Sequence, residues 1–365
     1  MENSRIQIPR RELSLILAIA LILLIIITIF LLWKDYQSAD IKFQQESARL
    51  YDDLSKSLSD INAILNGMVA LHNAVDVVDA EQFSLYSREM LNVYPNINSI
   101  KLLTRVEDEF RDIFRMKMRQ DGFPNFDIYE GQRNKPDEWK SATSRSLYYP
   151  ITAIEPLEPD KIINMGYDLY SVPEFRETID YSIRTGESAS VKSTALMQGV
   201  NSYMVFKPIY AGRVLPLNES ERKSHNLYMV AVVIRSADLL PKYSASSDLK
   251  IAIHNRNPQT GTYEQLIHRV SADNRLERPS SFIDFSISRP VIKGGQSLML
   301  SISRAVGPEI ISIRMLVIIF IVWSAFLSLI LYIVNTHHQT LKERQESLHA
   351  WQWEKERADV TLHSL

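Results

Sequence analysis

The sequence predicts an α+β protein: a long N-terminal stalk helix and two lobes built on antiparallel sheets, flanked by two transmembrane helices. Three observations predict it. Two uncharged apolar runs lie toward the ends of the 365-residue chain, a single helical stripe follows the first run, and strand-like segments crowd the later half while helical ones dominate the earlier part.

The apolar runs are Leu13–Trp33 and Met315–Val334. About 20 residues at 1.5 Å each cover the roughly 30 Å hydrocarbon core, and a helix satisfies its own backbone there. The first run is longer than the apolar part of a signal peptide, and no small-residue cleavage site follows it. Arg5, Arg10 and Arg11 precede it while Asp35 follows Lys34, which holds the N-terminus, residues 1–12, in the cytoplasm. Arg314 argues against the return of the second span, whereas Lys342 and Arg344 argue for it. Residues 34–314 are then expected outside the cytoplasm and 335–365 inside. A lipid bilayer is therefore one expected partner.

Within the outer segment, 36–78 reads as the stalk, with Leu50, Leu54, Leu58, Ile61, Leu65, Met68 and Val75 near a 3.6-residue repeat and Gly67 the one helix breaker. Such a stripe on a continuous helix predicts pairing with a second copy, and the alternative is that it packs on its own domain. A second helix starts at the capping box Asp79/Gln82, presents Phe83, Tyr86, Met90 and Tyr94 on one face, and stops at Pro95. A strand at 98–104 follows. A third helix from about Val106 points Phe110, Phe114 and Met118 inward and ends at Gly122. The stretches FDIYE and SLYYPITAIEP read as strands.

The next helix carries Ser171 and Glu174 as an S-x-x-E box, Pro173 in its first turn, Val172, Phe175, Ile179 and Ile183 as its buried face, and Gly186 as its stop. SASVKSTALM and SYMVFKPIYA are strands joined by a turn at 198–201, NESERKSHN is a polar loop, and LYMVAVVI, LKIAIHN, TYEQLIH, SFIDFSISR and SLMLSISR are further strands, with a short helix in SADLLPKY. The two lobes divide near residue 222: 79–222 is the membrane-distal lobe and 223–310 the membrane-proximal one.

Composition excludes several functions. Lysine plus arginine number 41 against 43 acidic residues, so no basic field exists to attract nucleic acid. With no cysteine there is no disulfide, thiolate metal site or cysteine nucleophile. His72, His225, His254 and His268 lack metal-ligand spacing, and no G-x-S-x-G elbow or phosphate-cradling loop is present. No enzyme, metal or cofactor is expected.

HNAVDVVDAEQFSLYSREMLNVYPNINSI, RQDGFPNFDIYE, SLYYPITAIEP and GYDLYSVPEFRETIDYSIRTGESASVKSTALMQGVNSYMVFKPIY, with the spacing G-[YF]-D-L, P-x-x-R, T-G and P-[IV]-Y, resemble the CHASE domain. The resemblance runs from about Leu65 to Leu240. That family is the extracytoplasmic sensor of many bacterial signalling proteins and of plant cytokinin receptor kinases. The resemblance implies two PAS-like lobes, a small-molecule pocket in the distal one, and a bacterial inner-membrane protein. Aligned on Asp168, Arg176 and Tyr210, Phe175, Met197 and Phe206 fall where the cytokinin receptors keep an aspartate, a leucine and a threonine. A phenylalanine ring neither donates nor accepts, so binding of a cytokinin in that manner is not expected and the ligand should be flatter, more apolar or aromatic.

The candidate ligand-binding residues are thus Asp168, Tyr170, Phe175, Arg176, Met197, Tyr203, Phe206 and Lys207. Asp168 can instead tie its own loop through backbone amides, and Arg176 can pair with Asp168 rather than a ligand. Tyr203 and Lys207 alternate with Met204 and Phe206, so only one set can line a cavity.

The inner tail is helix-prone, with Val334, Leu341, Leu348 and Leu362 at multiples of seven, and reads as a signalling linker that supports a homodimer. EKERADVTLHSL resembles the lead into a PAS domain that often precedes cyclic di-GMP output domains, which predicts either the sensor part of a longer protein or a form without output. The expected function is a membrane-anchored sensor that binds a small molecule and signals across the membrane; the alternative is a structural or protein-binding envelope domain.

Overall fold

The computed structural model describes residues 10–75, 78–131, 138–193, 201–212, 215–240, 249–257, 260–269, 283–306 and 313–362. Two compact units are present, one made of the chain up to Lys42 and from Val306 onward, the other of Phe43–Ala305.

The first unit holds the apolar runs. Helix α1 spans Arg10–Ala74, so the first apolar run and the stalk stripe lie on one uninterrupted helix, and its first part lies in this unit. The last helix, Ile313–Leu362, likewise carries the second apolar run and the polar tail after it without a break. Both are long and apolar enough to cross a membrane. Their large apolar side chains, Ile22, Ile26, Phe30, Phe320, Leu327 and Leu331 among them, are exposed. The Trp323 indole donates to Thr28 Oγ1 at 3.2 Å between the two helices.

In the second unit, α1 leads to α2 (Ala80–Val93), β1 (Ile97–Thr104), β2 (Val106–Glu107), a 3₁₀ turn at Asp108–Phe110, α3 (Arg111–Gln120), β3 (Tyr129–Glu130), β4 (Lys140–Ser141), β5 (Leu147–Tyr148) and β6 (Ile151–Glu155). Then come α4 (Pro159–Ile162), a 3₁₀ turn at Leu169–Ser171, α5 (Pro173–Thr185), β7 (Ala189–Ser193), β8 (Ser202–Tyr210), α6 (Glu219–His225) and β9 (Asn226–Arg235). A 3₁₀ turn at Ser236–Leu239 precedes β10 (Lys250–Arg256), β11 (Tyr263–Arg269), β12 (Ile283–Lys293) and β13 (Gln296–Val306), and the final helix is α7 (Ile313–Leu362).

Two main sheets result, ordered β6-β1-β9-β8-β7 and β11-β10-β13-β12. The first is antiparallel throughout, with Ile100 opposite both Glu155 and Val232, and Phe206 opposite both Ala189 and Ala231. β9 lies at its centre. The division expected near residue 222 is therefore displaced, and the sheets change over after Leu240, because the apolar run NLYMVAVVIR completes the first sheet rather than opening the second. The expected NESERKSHN loop is helix α6: Asn218 Oδ1 accepts from Glu221 N at 2.8 Å, which caps a turn that Glu219 and Lys223 brace by an ion pair.

The Asp79/Gln82 capping box forms as expected and starts α2. Ser84 Oγ donates to Glu155 Oε2 at 2.7 Å, which fastens α2 to the edge strand β6. In α3, Met118 is buried and Phe114 packs on the core, but Phe110, expected inward, is exposed because it belongs to the preceding 3₁₀ turn and is out of helical phase.

The stalk stripe is covered by the chain itself. Leu54, Leu58, Ile61 and Leu65 have no exposed surface, so the stripe packs on its own domain and is not the face offered to a second copy. Two backbone carbonyls of α1 also receive side-chain donors, Ile64 O from Tyr86 Oη of α2 at 2.8 Å and Leu58 O from Gln296 Nε2 of β13 at 3.3 Å. In the reverse direction, Ser57 Oγ of α1 donates to Leu239 O at 3.0 Å. Gly67 sits where a β-carbon would collide with the Tyr86 hydroxyl, so the residue that looked like a helix breaker is the notch into which α2 docks. Gly67→Ala should raise helix propensity by about 1 kcal/mol yet destabilise the protein by roughly 1–3 kcal/mol through overpacking at Tyr86. Thermal unfolding of the full chain checks this, and a gain in stability on Gly67→Ala would show that α2 does not close on that notch.

Candidate functional site

The candidate residues cluster around the segment Met165–Ser171, which is threaded between two others. Tyr129 N donates to Gly166 O at 2.9 Å and Asp168 N to Tyr129 O at 2.8 Å on one side; Gly166 N donates to Ile151 O at 2.8 Å and Leu169 N to Tyr149 O at 3.2 Å on the other. Gly166 has φ +82°, and a β-carbon there would collide with the Asp127 carbonyl, so only glycine permits this close threading. Tyr167 is buried, donates to Gly131 O at 2.8 Å and packs on Trp139 with ring centroids 4.6 Å apart.

Asp168 is fully buried, and its Oδ1 accepts from Tyr149 N at 2.7 Å and Tyr170 N at 3.0 Å. The carboxylate thus caps the 3₁₀ turn Leu169–Ser171 and pins it to the strand-like stretch beside β5. Its cationic partner is Arg145, with Nη1 3.5 Å from Oδ2, and not Arg176 as one reading of the sequence had it. Arg145 also pairs with Glu130. Burial pushes the Asp168 carboxyl up to about 6, against the two amides and Arg145, which favour its charged form; the Glu130 charge adds to the rise.

Tyr170 is half-buried, donates to Asp180 Oδ1 at 2.8 Å and lies 5.4 Å, ring to ring, from Tyr149. Burial and the Asp180 hydrogen bond push its hydroxyl upward, and burial also raises the Asp180 carboxyl. Arg176 is exposed; its guanidinium covers the Tyr170 ring at 5.3 Å and donates through Nε to Tyr170 O at 2.8 Å. The expected Ser171/Glu174 box does not form. Pro173 forces Val172 into extended backbone and makes it the N-cap of α5, leaving the Ser171 hydroxyl to donate to Asp168 O at 2.6 Å.

α5 buries Phe175, Ile179 and Ile183 and ends at Gly186 with φ 76°, as its pattern dictates. Phe175 meets Phe206 of β8 edge to face at 6.1 Å, and Phe206, Met204 and the β9 residues Met229, Ala231 and Val233 belong to one core. Met197 lies outside the described residues. Tyr203 is on the opposite face of β8. Its hydroxyl donates to Gln296 Oε1 at 3.1 Å, toward the second sheet, so it does not join Phe175 and Phe206. Lys207, half-buried, shares that opposite face, and burial lowers its ammonium. Both faces of β8 are covered, which is why alternation alone did not say which set faced the core beneath α5.

Several residues that hold this site were not among the candidates. Tyr149 donates to Asn226 Oδ1 at 2.7 Å, while Asn226 Nδ2 reaches Ile209 O and Tyr228 O. Tyr148 donates to Asp108 at 2.6 Å beneath the guanidinium groups of Arg111 and Arg145. Tyr210, at the end of the P-x-Y pattern, donates to Ile183 O at 2.8 Å and closes the C-terminal turn of α5. A buried tyrosine needs a partner for its hydroxyl, but only the tertiary structure names it. Among the described residues, no three His, Asp or Glu side chains converge as metal ligands.

A family model described as "CHASE domain" matches residues 76–267. No curated protein matches the chain. Among solved structures it is similar to an extracellular ligand binding receptor from Desulfohalobium retbaense, at 7% identity and TM-score 0.43, over 72% of this chain and 40% of that one. It is also similar to an extracellular domain assigned to a histidine kinase, soHK1S-Z6, at 11% and 0.42, over 74% and 95% of the two chains. A third is the periplasmic sensory domain of the Campylobacter jejuni chemoreceptor Tlp1, at 8% and 0.38, over 72% and 92%.

The raised Asp168 carboxyl has a testable consequence. The folded chain holds this proton more tightly than the unfolded one, so its contribution to stability is full below about pH 4 and is lost as pH rises through about 6. Asp168→Asn keeps an acceptor for both amides but does not titrate. Between pH 4.5 and 7.5 the stability of wild type relative to this variant should fall by on the order of 2 kcal/mol. Parallel denaturation profiles would mean that the carboxyl is not held as described.

Proposed function

Because the chain belongs to the CHASE-domain family, a sensory and not a catalytic one, we propose that it is an extracytoplasmic sensor of the bacterial inner membrane, spanning it twice. In this reading the distal lobe takes up a small apolar or aromatic molecule between α5 and β8, and the change passes along α1 and α7 to a cytoplasmic output. The observation that carries it is the Phe175–Phe206 pair: two buried rings from different elements, meeting edge to face where the family resemblance places its ligand. Aromatic faces and edges bind flat apolar molecules by the same quadrupole contacts that now join the two rings. Met197 is kept as a proposed ligand contact on the resemblance alone. Asp168, Tyr170 and Arg176 set the entry to α5, with their main duties in holding the loop, and Tyr203 and Lys207 are proposed to act from the far face of the strand.

The strand order of the distal sheet, in which the lobe's five long strands run 2-1-5-4-3, supports the PAS-like reading. The burial of α1 against both sheets supports transmission, since a shift of either sheet must move the helix or break hydrogen bonds to Leu58 and Ile64. A ligand biases two arrangements only through its differential affinity, and about 1–3 kcal/mol of coupling is the expected scale. With the stalk stripe buried in its own domain, the homodimer is proposed through the linker part of α7, where Leu348 is exposed on the heptad.

A second reading has its own support in the same contact. Phe175 and Phe206 fill each other's space, as they would in an envelope domain whose lobes serve only to bind another protein.

Thermal unfolding of the full-length protein against a set of aromatic and apolar metabolites separates the two readings, since a ligand at 100 times its Kd should add about 2.7 kcal/mol. Phe206→Ala should cost about 3–5 kcal/mol and admit larger ligands than wild type. Failure of every compound to stabilise either protein would favour the protein-binding domain. Accessibility supplies an independent check: a tag inserted at α6 should be labelled from outside intact cells, and one at the C-terminus should not.

A further inference from the structure

Helix α3 is apolar on two sides, and its own domain uses one of them. Met118 and the partly buried Phe114 pack in the core that also holds Phe175 and Phe206. The arginines of the helix serve the same domain: Arg111 donates to the Tyr148 and Ser141 hydroxyls, Arg115 pairs with Asp127, and Arg119 donates to Phe126 O. On the other side, Ile113 and Met116 are 61% and 56% exposed, and Phe110, in the 3₁₀ turn just before the helix, is 54% exposed. Single exposed apolar residues are ordinary, but three large ones at a spacing of three make a ridge, and a ridge of this kind marks a contact surface.

The charges beside the ridge identify what fits it. In a heptad frame with Ile113 at a and Met116 at d, the inward Phe114 and Met118 take the outer positions b and f of the repeat, while Asp112 falls at g and Lys117 at e. Both charged residues are exposed. A g position and the e position five residues later meet between two parallel copies of one helix, so Asp112 of each copy faces Lys117 of the other, and two-fold symmetry makes the pair twice. Asp112 also pairs with Arg115 at 3.1 Å, an exposed i, i+3 contact that is worth little and is easily shared. Lys117 has no ion pair among the described residues. A lipid surface fits less well, because it favours cations on both flanks of an apolar face and Asp112 supplies the opposite sign.

From this pattern we infer that α3 is an outer contact of a homodimer, in which two copies set their α3 helices side by side and parallel, Ile113 against Ile113 and Met116 against Met116, with Phe110 extending the seam. The contact rests on the membrane-anchored reading above and is separate from the α7 contact proposed there. Gln120 ends the seam on one side and the 3₁₀ turn on the other, so it is one heptad long. It therefore buries less than the roughly 1,200 Å² of a stable free-standing complex, but two chains held in one bilayer meet at a raised effective concentration, where a weak contact suffices. The stalk stripe, buried in its own domain, does not supply such a face.

The chain contains no cysteine, so a single introduced one reports its own nearness to a second copy. In membranes carrying the full-length protein, Ile113→Cys and Met116→Cys should each give disulfide-linked dimer under mild oxidation. The yield should be about five times or more that of Leu85→Cys, a control equally exposed on α2, because a disulfide forms only where two α-carbons come within about 7 Å. In the Ile113→Cys background, Asp112→Lys and Lys117→Asp should each lower the yield about threefold or more by setting like charges across the seam, and the two together should restore it. Restoration separates a lost contact from a damaged fold. Cross-linking at 113 and 116 no greater than at 85 would overturn the inference, as would a yield indifferent to both charge reversals. Leu348→Cys reports the α7 contact: cross-linking there and not on α3 would overturn the α3 contact and leave the α7 dimer standing. Recovery of the chain in the soluble fraction would overturn the anchored reading and this contact together.

Discussion

One apolar stripe on α1 has to be taken out of water, and the two sheets are arranged by how that is done. From Phe43 to Met68 the stripe is buried by the chain's own lobes, so the helix is the common wall of both. Each fully buried leucine or isoleucine is worth about 1.5–3 kcal/mol relative to exposure, so the stripe outweighs any single polar contact in the domain. Polar contacts then fix the register. Tyr86 reaches Ile64 O from one sheet's flanking helix and Gln296 reaches Leu58 O from the other sheet, less than two turns apart on α1. Gln296 also accepts from Tyr203, so the hairpin end of β13 joins the stalk to the first sheet through one fully buried amide.

The residues that mark the family resemblance have turned out to be largely the loop's fasteners. Gly166 permits the threading, Asp168 ties two amides, Arg176 covers Tyr170, and Tyr210 closes the end of α5. In the proposed sensor such rigidity serves the site, because a wall that yields absorbs a ligand's binding energy without passing it on. The residues proposed to select the ligand lie elsewhere, on the faces of α5 and β8 that the fasteners hold in place.

Much of the fold was legible locally. The stalk stripe, the Asp79/Gln82 box and the α5 face with its Gly186 stop each depend on residues within a few turns of one another, and each formed as its spacing dictates. The errors have separate causes. Ser171 lost its capping role to the effect of Pro173 on Val172, Phe110 lost its helical phase to a 3₁₀ turn, and β9 went to the first sheet because a buried strand does not announce its partner.

By itself, then, the sequence determined most of the helices and strands and which segments are long and apolar enough to cross a membrane. Tertiary structure alone decided what each buried group faces. Asp168 pairs with Arg145, 23 positions away, rather than with the nearer Arg176, and Lys101 meets Ala231 across the sheet. The physical reason is that periodicity records whether a side chain is shielded from water, while its partner is set by strand register and by elements far off in the chain. Where both faces of a strand are buried, as in β8, even the direction of a side chain is left to the packing.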